Sequence, residues 1–249
     1  MPPSPNKPHL NFRPGEQGYV LITAIWLLIL AGSIVAVVTL RTLSQAREIK
    51  EQGEALSERI ALESAVETVF ADRLFAGNHS QWWLTPTSGQ VNIEGISVET
   101  ILTSESGRLD INEADPKLIK QALRGLGIDE KLASEFADEV RQRRSEENRI
   151  NTFSEVRSML PQSSAGCLEE NLTLTSGLAT PRPDQMPDAL ARAMGQATSV
   201  TPASPEAGAA LRLRASRPGQ AGLLVVARVT GLREAPLSIS SWDYPSACE

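Results

Sequence analysis

The chain has 249 residues, of which 41% are hydrophobic, 22% charged and only 4% aromatic, with a net charge of −6 from 24 Lys+Arg against 30 Asp+Glu. That length implies one or two domains, and the composition excludes a polytopic membrane protein. The acidic balance argues against a protein that wraps DNA by neutralising phosphates. Two cysteines, Cys167 and Cys248, are too few for a disulfide framework or a four-thiolate zinc site.

Hydrophobicity is concentrated near the N-terminus. Of the 22 residues from Tyr19 to Leu40, 18 are apolar and none is charged. As a helix this run spans about 33 Å, enough to cross a hydrocarbon layer of roughly 30 Å. It is too long for the apolar core of a cleaved secretory signal, and Arg41-Thr42-Leu43-Ser44 follows it where small-x-small cleavage residues would be needed. Lys7 and Arg13 mark the preceding residues 1–18 as cytoplasmic, although Arg41 and Arg47 reduce the asymmetry. The expected order is a cytoplasmic leader over 1–18, a membrane helix over 19–40 and an extracytoplasmic remainder.

The junction itself is informative. Arg13-Pro14-Gly15-Glu16-Gln17-Gly18 runs directly into the apolar stretch at Tyr19. A short basic leader ending in glycine against a membrane helix resembles the processing signal of type IV pilins and pseudopilins. The resemblance implies cleavage by a prepilin peptidase between Gly18 and Tyr19, then methylation of the new N-terminus at Tyr19. Most members carry Glu as the fifth mature residue, where it meets the N-terminal ammonium of a neighbouring subunit; here that position is Thr23. A lone carboxylate in hydrocarbon costs several kcal/mol, so its loss points to a subunit without that neighbour, at a filament end. Within the superfamily this pattern resembles the general secretion pathway protein K family, the minor pseudopilins of type II secretion.

From Arg41 to Phe75 there is no proline and only one glycine, Gly53, so the helix should continue over 41–76 until Gly77-Asn78 stops it. Ile49, Leu56, Ile60, Phe70 and Leu74 fall in one sector at 100° per residue, widened by Ala55, Leu62, Val66 and Val69, which predicts packing of the upper part on a domain. Trp82-Trp83 follow as a core pair or a contact surface. Val91–Glu94 and Ile96–Ile101 alternate apolar and polar residues around Gly95 and read as strands. Asp115-Pro116 opens a helical insert with helices over Lys117–Leu123 and Asp129–Arg143, a Gly125-Leu126-Gly127 turn between them, and a third helix from Asn151 to Leu160. Its Asp110-Ile111-Asn112-Glu113-Ala114 start resembles the helix-hairpin-helix-related insert of the protein K family, while Phe153-Ser154-Glu155 departs from that family's spacing. Leu172–Thr175 is a short strand. Residues 179–209 hold five prolines among Ala, Ser, Thr and Gly and read as a mobile linker around one short helix, Pro187–Met194. The tail reads as strands again at Leu211–Ala215, Leu223–Val229 and Leu237–Trp242.

The expected fold is therefore α+β: a pilin-like long N-terminal helix on a small antiparallel sheet built from 77–110 and 211–249, with a helical insert over 111–178 and a linker over 179–210. No enzymatic role is expected. His9 lies in the leader, which leaves His79 as the one extracytoplasmic histidine, and no G-x-S-x-G, H-E-x-x-H or phosphate-binding glycine loop occurs. No cofactor is expected; Glu146-Glu147 and Glu169-Glu170 keep calcium as the alternative, without a D-x-D-x-D-G loop. Cys167 and Cys248 either form one disulfide or stay apart. The resemblance implies a subunit at the tip of a type II secretion pseudopilus in the bacterial inner membrane, its head in the periplasm. Its partners would be other minor pseudopilins, the prepilin peptidase, and secreted substrate or the outer-membrane channel. Three alternatives stand: a minor pilin of a type IV pilus, a signal-anchored enzyme using His79, and a membrane-anchored helix-hairpin-helix DNA receptor. Against the last, residues 112–160 hold nine Lys/Arg and ten Asp/Glu, so no nucleic acid partner is expected.

Overall fold

A computed structural model describes residues 16–160, 168–197, 200–205, 208–218, 222–230, 232, 234 and 236–244, with the side chains of 16–20, 43 and 46 outside the description. The chain divides into two compact units, 1–57 and 58–249. It is a mixed helix and sheet protein whose long apolar N-terminal helix packs on an antiparallel sheet.

Helix α1 runs Glu16–Ala76 without a proline. In the first unit its hydroxyls are absorbed by its own backbone: Ser33 donates to the Ile29 carbonyl at 2.8 Å, Thr39 to Val35 at 2.8 Å and Thr42 to Val38 at 2.9 Å. These bonds to the preceding turn let polar residues sit in an apolar helix without open donors. The helix ends where Gly77, at φ +54, takes the left-handed conformation that a side chain would resist.

In the second unit α1 buries Ala61, Leu62, Ala65, Val66, Val69 and Phe70, a stripe with the i, i+4 spacing of a helix face. Ile49, Leu56 and Ile60 are exposed, so the buried face is the one led by Leu62, Val66 and Val69, not the sector those three share with Phe70 and Leu74. Ala61 and Ala65 explain the choice. Their small side chains let the helix approach the sheet closely.

The sheet has the order β1(Thr87–Ile93), β2(Ile96–Ser104), β5(Ala210–Ser216), β6(Leu223–Val229), β7(Leu237–Asp243), with every neighbouring pair antiparallel. Glu94 and Gly95, both at positive φ, close the β1–β2 hairpin, and Asn92 Oδ1 accepts from the Gly95 N–H at 2.9 Å. Alternate residues Val98 and Leu102 of β2, Leu211, Leu213 and Ala215 of β5, and Leu223, Val225 and Ala227 of β6 pack with the α1 stripe, covered by Trp82. Each large side chain buried this way stabilises the head by roughly 1.5–3 kcal/mol. Arg73 pins the end of the helix, donating to the carbonyls of Trp82 and Trp83 while its guanidinium lies 5.2 Å from the Trp83 ring.

Described residues between β2 and β5 form a second core. Helices α2(Pro116–Gly125) and α3(Glu130–Ser145) are opened by Asp115, which accepts from Lys117 N–H at 2.7 Å, and Asp129, which accepts from Lys131 N–H at 2.9 Å. Thr152 and Glu155 form a capping box on α4(Phe153–Met159). Ile119, Leu123, Phe136, Val140, Val156 and Leu160 supply the interior. Asn112 ties the insert's start to its middle, with Nδ2 donating to the Ile150 carbonyl at 2.8 Å and Oδ1 accepting from Ile150 N–H at 3.1 Å. A two-residue parallel pair, β3(Leu109–Asp110) with β4(Leu172–Thr173), closes it.

Residues 179–209 differ from the mobile linker that their composition suggests. Met186, Leu190 and Ala191 are buried in the insert's core, Arg182 N–H bonds the Ser106 carbonyl at 2.8 Å, and Ala203 pairs with Thr85. Prolines here set the course of a packed strap. The strap presses on Gly107: an added Cβ there would lie 1.8 Å from the Gln185 carbonyl oxygen. Gly107→Ala should therefore destabilise the head by roughly 1–3 kcal/mol, whereas Gly53→Ala, with open space around it, should leave stability unchanged or slightly raised. Thermal unfolding of the two variants in detergent, followed by near-UV circular dichroism, checks the contrast.

Candidate functional site

The first candidate region is the membrane-compatible helix. Among the described residues one helix is long and apolar enough to cross a membrane, with a mean hydropathy of 2.7 in its most apolar window and none of that window buried. Trp26, Leu27 and Leu28 are 68%, 65% and 72% exposed. Leaving such side chains in water forfeits roughly 1.5–3 kcal/mol each, a loss that lipid or another apolar surface would offset.

Gly18 and Tyr19 lie in the first turn of α1, which begins at Glu16. Thr23 sits one turn further on, half-buried. Cys167, Cys248 and His9 lie outside the described residues. His79 ends the short 3₁₀ helix Gly77–His79 and is exposed.

The second region is a charged joint on the sheet face opposite α1. Arg212 and Arg214 alternate with Leu211, Leu213 and Ala215 and so point away from the α1 stripe. Arg212 grips the fully buried Glu105 with Nε at 2.5 Å and Nη2 at 3.2 Å, and also donates to the carbonyls of Glu169 and Leu172. Arg108 lies 3.5 Å from the same carboxylate; its Nε donates to the Glu170 carbonyl at 2.9 Å and its Nη1 to the Ser104 carbonyl at 3.0 Å. Arg214 pairs with Glu170 at 2.8 Å. Burial alone would raise the Glu105 pKa, but the adjacent Arg212 and Arg108 together bring it below the ordinary carboxylate value. Burial, reinforced by the like charge of Arg212, pushes the Arg108 pKa down to about 9. Asp110 moves the other way: burial raises it, even though the N–H groups of Gly177 and Asn112 and the Ser176 hydroxyl bond its carboxylate.

These contacts also place the acid pairs considered for calcium. Glu169 is taken by Arg157 and Glu170 by Arg214, while Glu146 and Glu147 are exposed beyond α3. Among the described residues there is no group of three or more His, Cys, Asp or Glu disposed to hold a metal ion. Around the α2–α3 hairpin, Lys120 and Arg124 pair with Glu130 at 2.9 and 2.5 Å, Arg141 with Asp138 at 2.8 Å, and Arg143 with Glu139 and Glu155 at 2.8 Å each. Sequence reasoning missed the Glu105–Arg108–Arg212 joint. Its one local trace is the Leu211-Arg212-Leu213-Arg214 alternation, which marks a strand with a charged second face but does not say that this face is covered.

Comparison of the chain with protein-family models, with curated proteins and with solved structures finds no match.

The joint has a definite acid response. A carboxylate held below its unfolded pKa stabilises the fold above the unfolded value, roughly 4.3, and that stability is lost as the pH falls through the lower folded value. Glu105→Gln should leave two buried guanidiniums without their counter-charge and cost roughly 3–5 kcal/mol at neutral pH. Acid titration of unfolding should show the wild-type chain losing stability below about pH 4 more steeply than the variant.

Proposed function

We propose that this chain is a non-enzymatic minor pseudopilin of the protein K type, acting at the tip of a type II secretion pseudopilus. The observation that carries the reading is the uncharged, exposed run of α1 that begins directly behind Gly18 and holds threonine at position 23. On this reading the helix waits in the inner membrane with the head in the periplasm. A prepilin peptidase removes residues 1–18, and the new N-terminus at Tyr19 is methylated. The trimmed helix then leaves the lipid by packing against the helices of partner pseudopilins. Both environments satisfy the same apolar surface, which is why one sequence serves as anchor and as filament core.

Thr23 supports the tip position. A carboxylate at that depth needs an ammonium to offset its desolvation, and a terminal subunit has no preceding neighbour to provide one. The order of long helix, hairpin, helical insert and three closing strands fits a pilin-like head with an insert. The helix-hairpin-helix DNA reading draws less support, because Lys120, Arg124, Arg141 and Arg143 on the α2–α3 hairpin are each paired with an acid. No observation favours a His79-based enzyme or singles out a type IV pilus.

N-terminal sequencing of the protein from cells with and without prepilin peptidase tests the reading. Tyr19 should be the first residue only where the peptidase is present; Met1, or a cut beyond Leu40, would overturn it. Gly18→Asp should block that processing and leave the longer chain in the membrane, as read by mobility on gels. Thr23→Glu should burden the membrane helix by several kcal/mol and reduce incorporation at the filament tip, measured by cross-linking to partner subunits. Unchanged incorporation would remove the argument from the absent carboxylate.

A further inference from the structure

A cavity of about 320 Å³ opens on the sheet face opposite the α1 stripe, between β2, β5 and the turn Gln185–Asp188. Arg108, Arg212 and Arg214 line it, together with Ile101, Met186 and Val200. Arg212 is committed to Glu105 and to backbone carbonyls, and Arg214 to Glu170. Arg108 is only 7% exposed, yet its bonds use Nε and Nη1 alone; Nη2 has no hydrogen-bond partner among the described residues. A guanidinium so deeply buried with one nitrogen unpaired is uncommon, because its charge is desolvated without full compensation. The downward push on Arg108 expresses the same imbalance, which persists although Glu105 lies 3.5 Å away and Glu170 is near.

The walls narrow the choice of ligand. Ile101 and Val200 are 46% and 40% exposed, so an occupant would gain apolar contact at the mouth and charge at the floor. Asp188 and Glu170 are the two carboxylates on the lining. They disfavour a dianion such as phosphate, whereas a monoanion meets less repulsion and needs only the one open guanidinium nitrogen.

We propose that this cavity binds a carboxylate carried on a small apolar group, with the carboxylate accepting from Arg108 Nη2 and the apolar part lying against Ile101 and Val200. Such a group occurs at the C-terminus of a chain ending in an apolar residue, and in an acidic side chain or a free short-chain acid. The site goes beyond the filament reading and stands independently of it, since no residue of α1 takes part.

The test uses the full chain in non-ionic detergent, titrated with N-acetyl-leucine, butyrate, N-acetyl-leucinamide and inorganic phosphate, and read by the Nε–Hε resonances of the arginines. At least one carboxylate should saturate and shift the Arg108 signal, and the neutral amide should not. Tighter N-acetyl-leucine assigns a chain terminus; tighter butyrate assigns a side-chain or free acid. Arg108→Gln should abolish binding. Because that change also loosens the joint, Val200→Glu supplies the second variant: a carboxylate at the mouth should weaken binding about tenfold while the Tm stays unchanged. Equal binding of the amide, tighter binding of phosphate, absence of saturable carboxylate binding, or full retention in Val200→Glu would each overturn the proposal.

Discussion

The closure of α1 on the sheet, through Ala61, Leu62, Ala65, Val66, Val69 and Phe70, is the contact on which the rest of the head depends. Its buried partners come from strands far apart in the chain, β2 before the helical insert and β5 and β6 after it. Without the helix, the apolar face of a five-stranded sheet would be open to water, and the two halves of that sheet, β1–β2 and β5–β7, are separated in sequence by the insert. Packing against one rigid helix supplies a common template for both halves. The alanines at 61 and 65 matter as much as the large residues, because they set how near the backbone comes. The helix that gives the sheet its core is also the helix that carries the uncharged run Leu21–Leu40, so the sheet-packing stretch and that run belong to one secondary-structure element.

The opposite face of the sheet follows a different rule. There Arg212 and Arg214 face residues 168–172, and the contacts are charge-assisted bonds to carbonyls and to Glu105. Hydrophobic burial tolerates sliding, since dispersion is weakly directional, whereas a bidentate guanidinium–carboxylate contact has one good geometry. The insert is thus registered on the sheet by direction-dependent bonds, and the α1 side is stabilised mainly by area. A buried pair of this kind adds little net stability, because desolvation offsets the Coulombic gain; what it fixes is the relative placement of β5 and the segment around β4. Arg108 extends the joint beyond charge balance, which is why the adjoining cavity is the place where an additional anion would be stabilised.

Regular elements were legible from the sequence because their signals are local. The alternation around Gly95, the Asp115-Pro116 start and the apolar periods of the three last strands lie within a few residues of the elements they define. The strap over 179–209 was not legible, because Met186 and Leu190 are isolated apolar residues in a Pro/Ala-rich context and their burial depends on α2 and α3, distant in sequence. The buried face of α1 is only partly legible for a related reason: Leu56 and Ile60 carry more hydrophobicity than Ala61 and Ala65 and yet are exposed, since a sheet selects the face it can approach. The charged joint escaped notice entirely, since a buried ion pair needs Glu105 and Arg212 together and neither position alone distinguishes burial from exposure.

On the proposed reading, the fifth position gives the N-terminal helix a polarity of function. After removal of residues 1–18, the ammonium of Tyr19 would stand at the positive end of the helix dipole, the less favourable end for a cation. On the same reading, most type IV pilins and pseudopilins carry a carboxylate one turn away that answers such a charge in a neighbour; Thr23 offers none. The chain would therefore present a charge to be compensated by another subunit while contributing no compensating charge of its own. An arrangement in which each helix answers the one before it has only one position with that requirement, the first. The energetic weight is large for a single substitution, because both charges lie in a low-dielectric surrounding where an unmatched ion costs several kcal/mol. Threonine removes the unmatched carboxylate, and its hydroxyl is of the kind that Thr39 and Thr42 already satisfy on the backbone of the same helix. The polar replacement is thus one that an apolar helix could accommodate without an ion to balance it, which is what a subunit placed first would require.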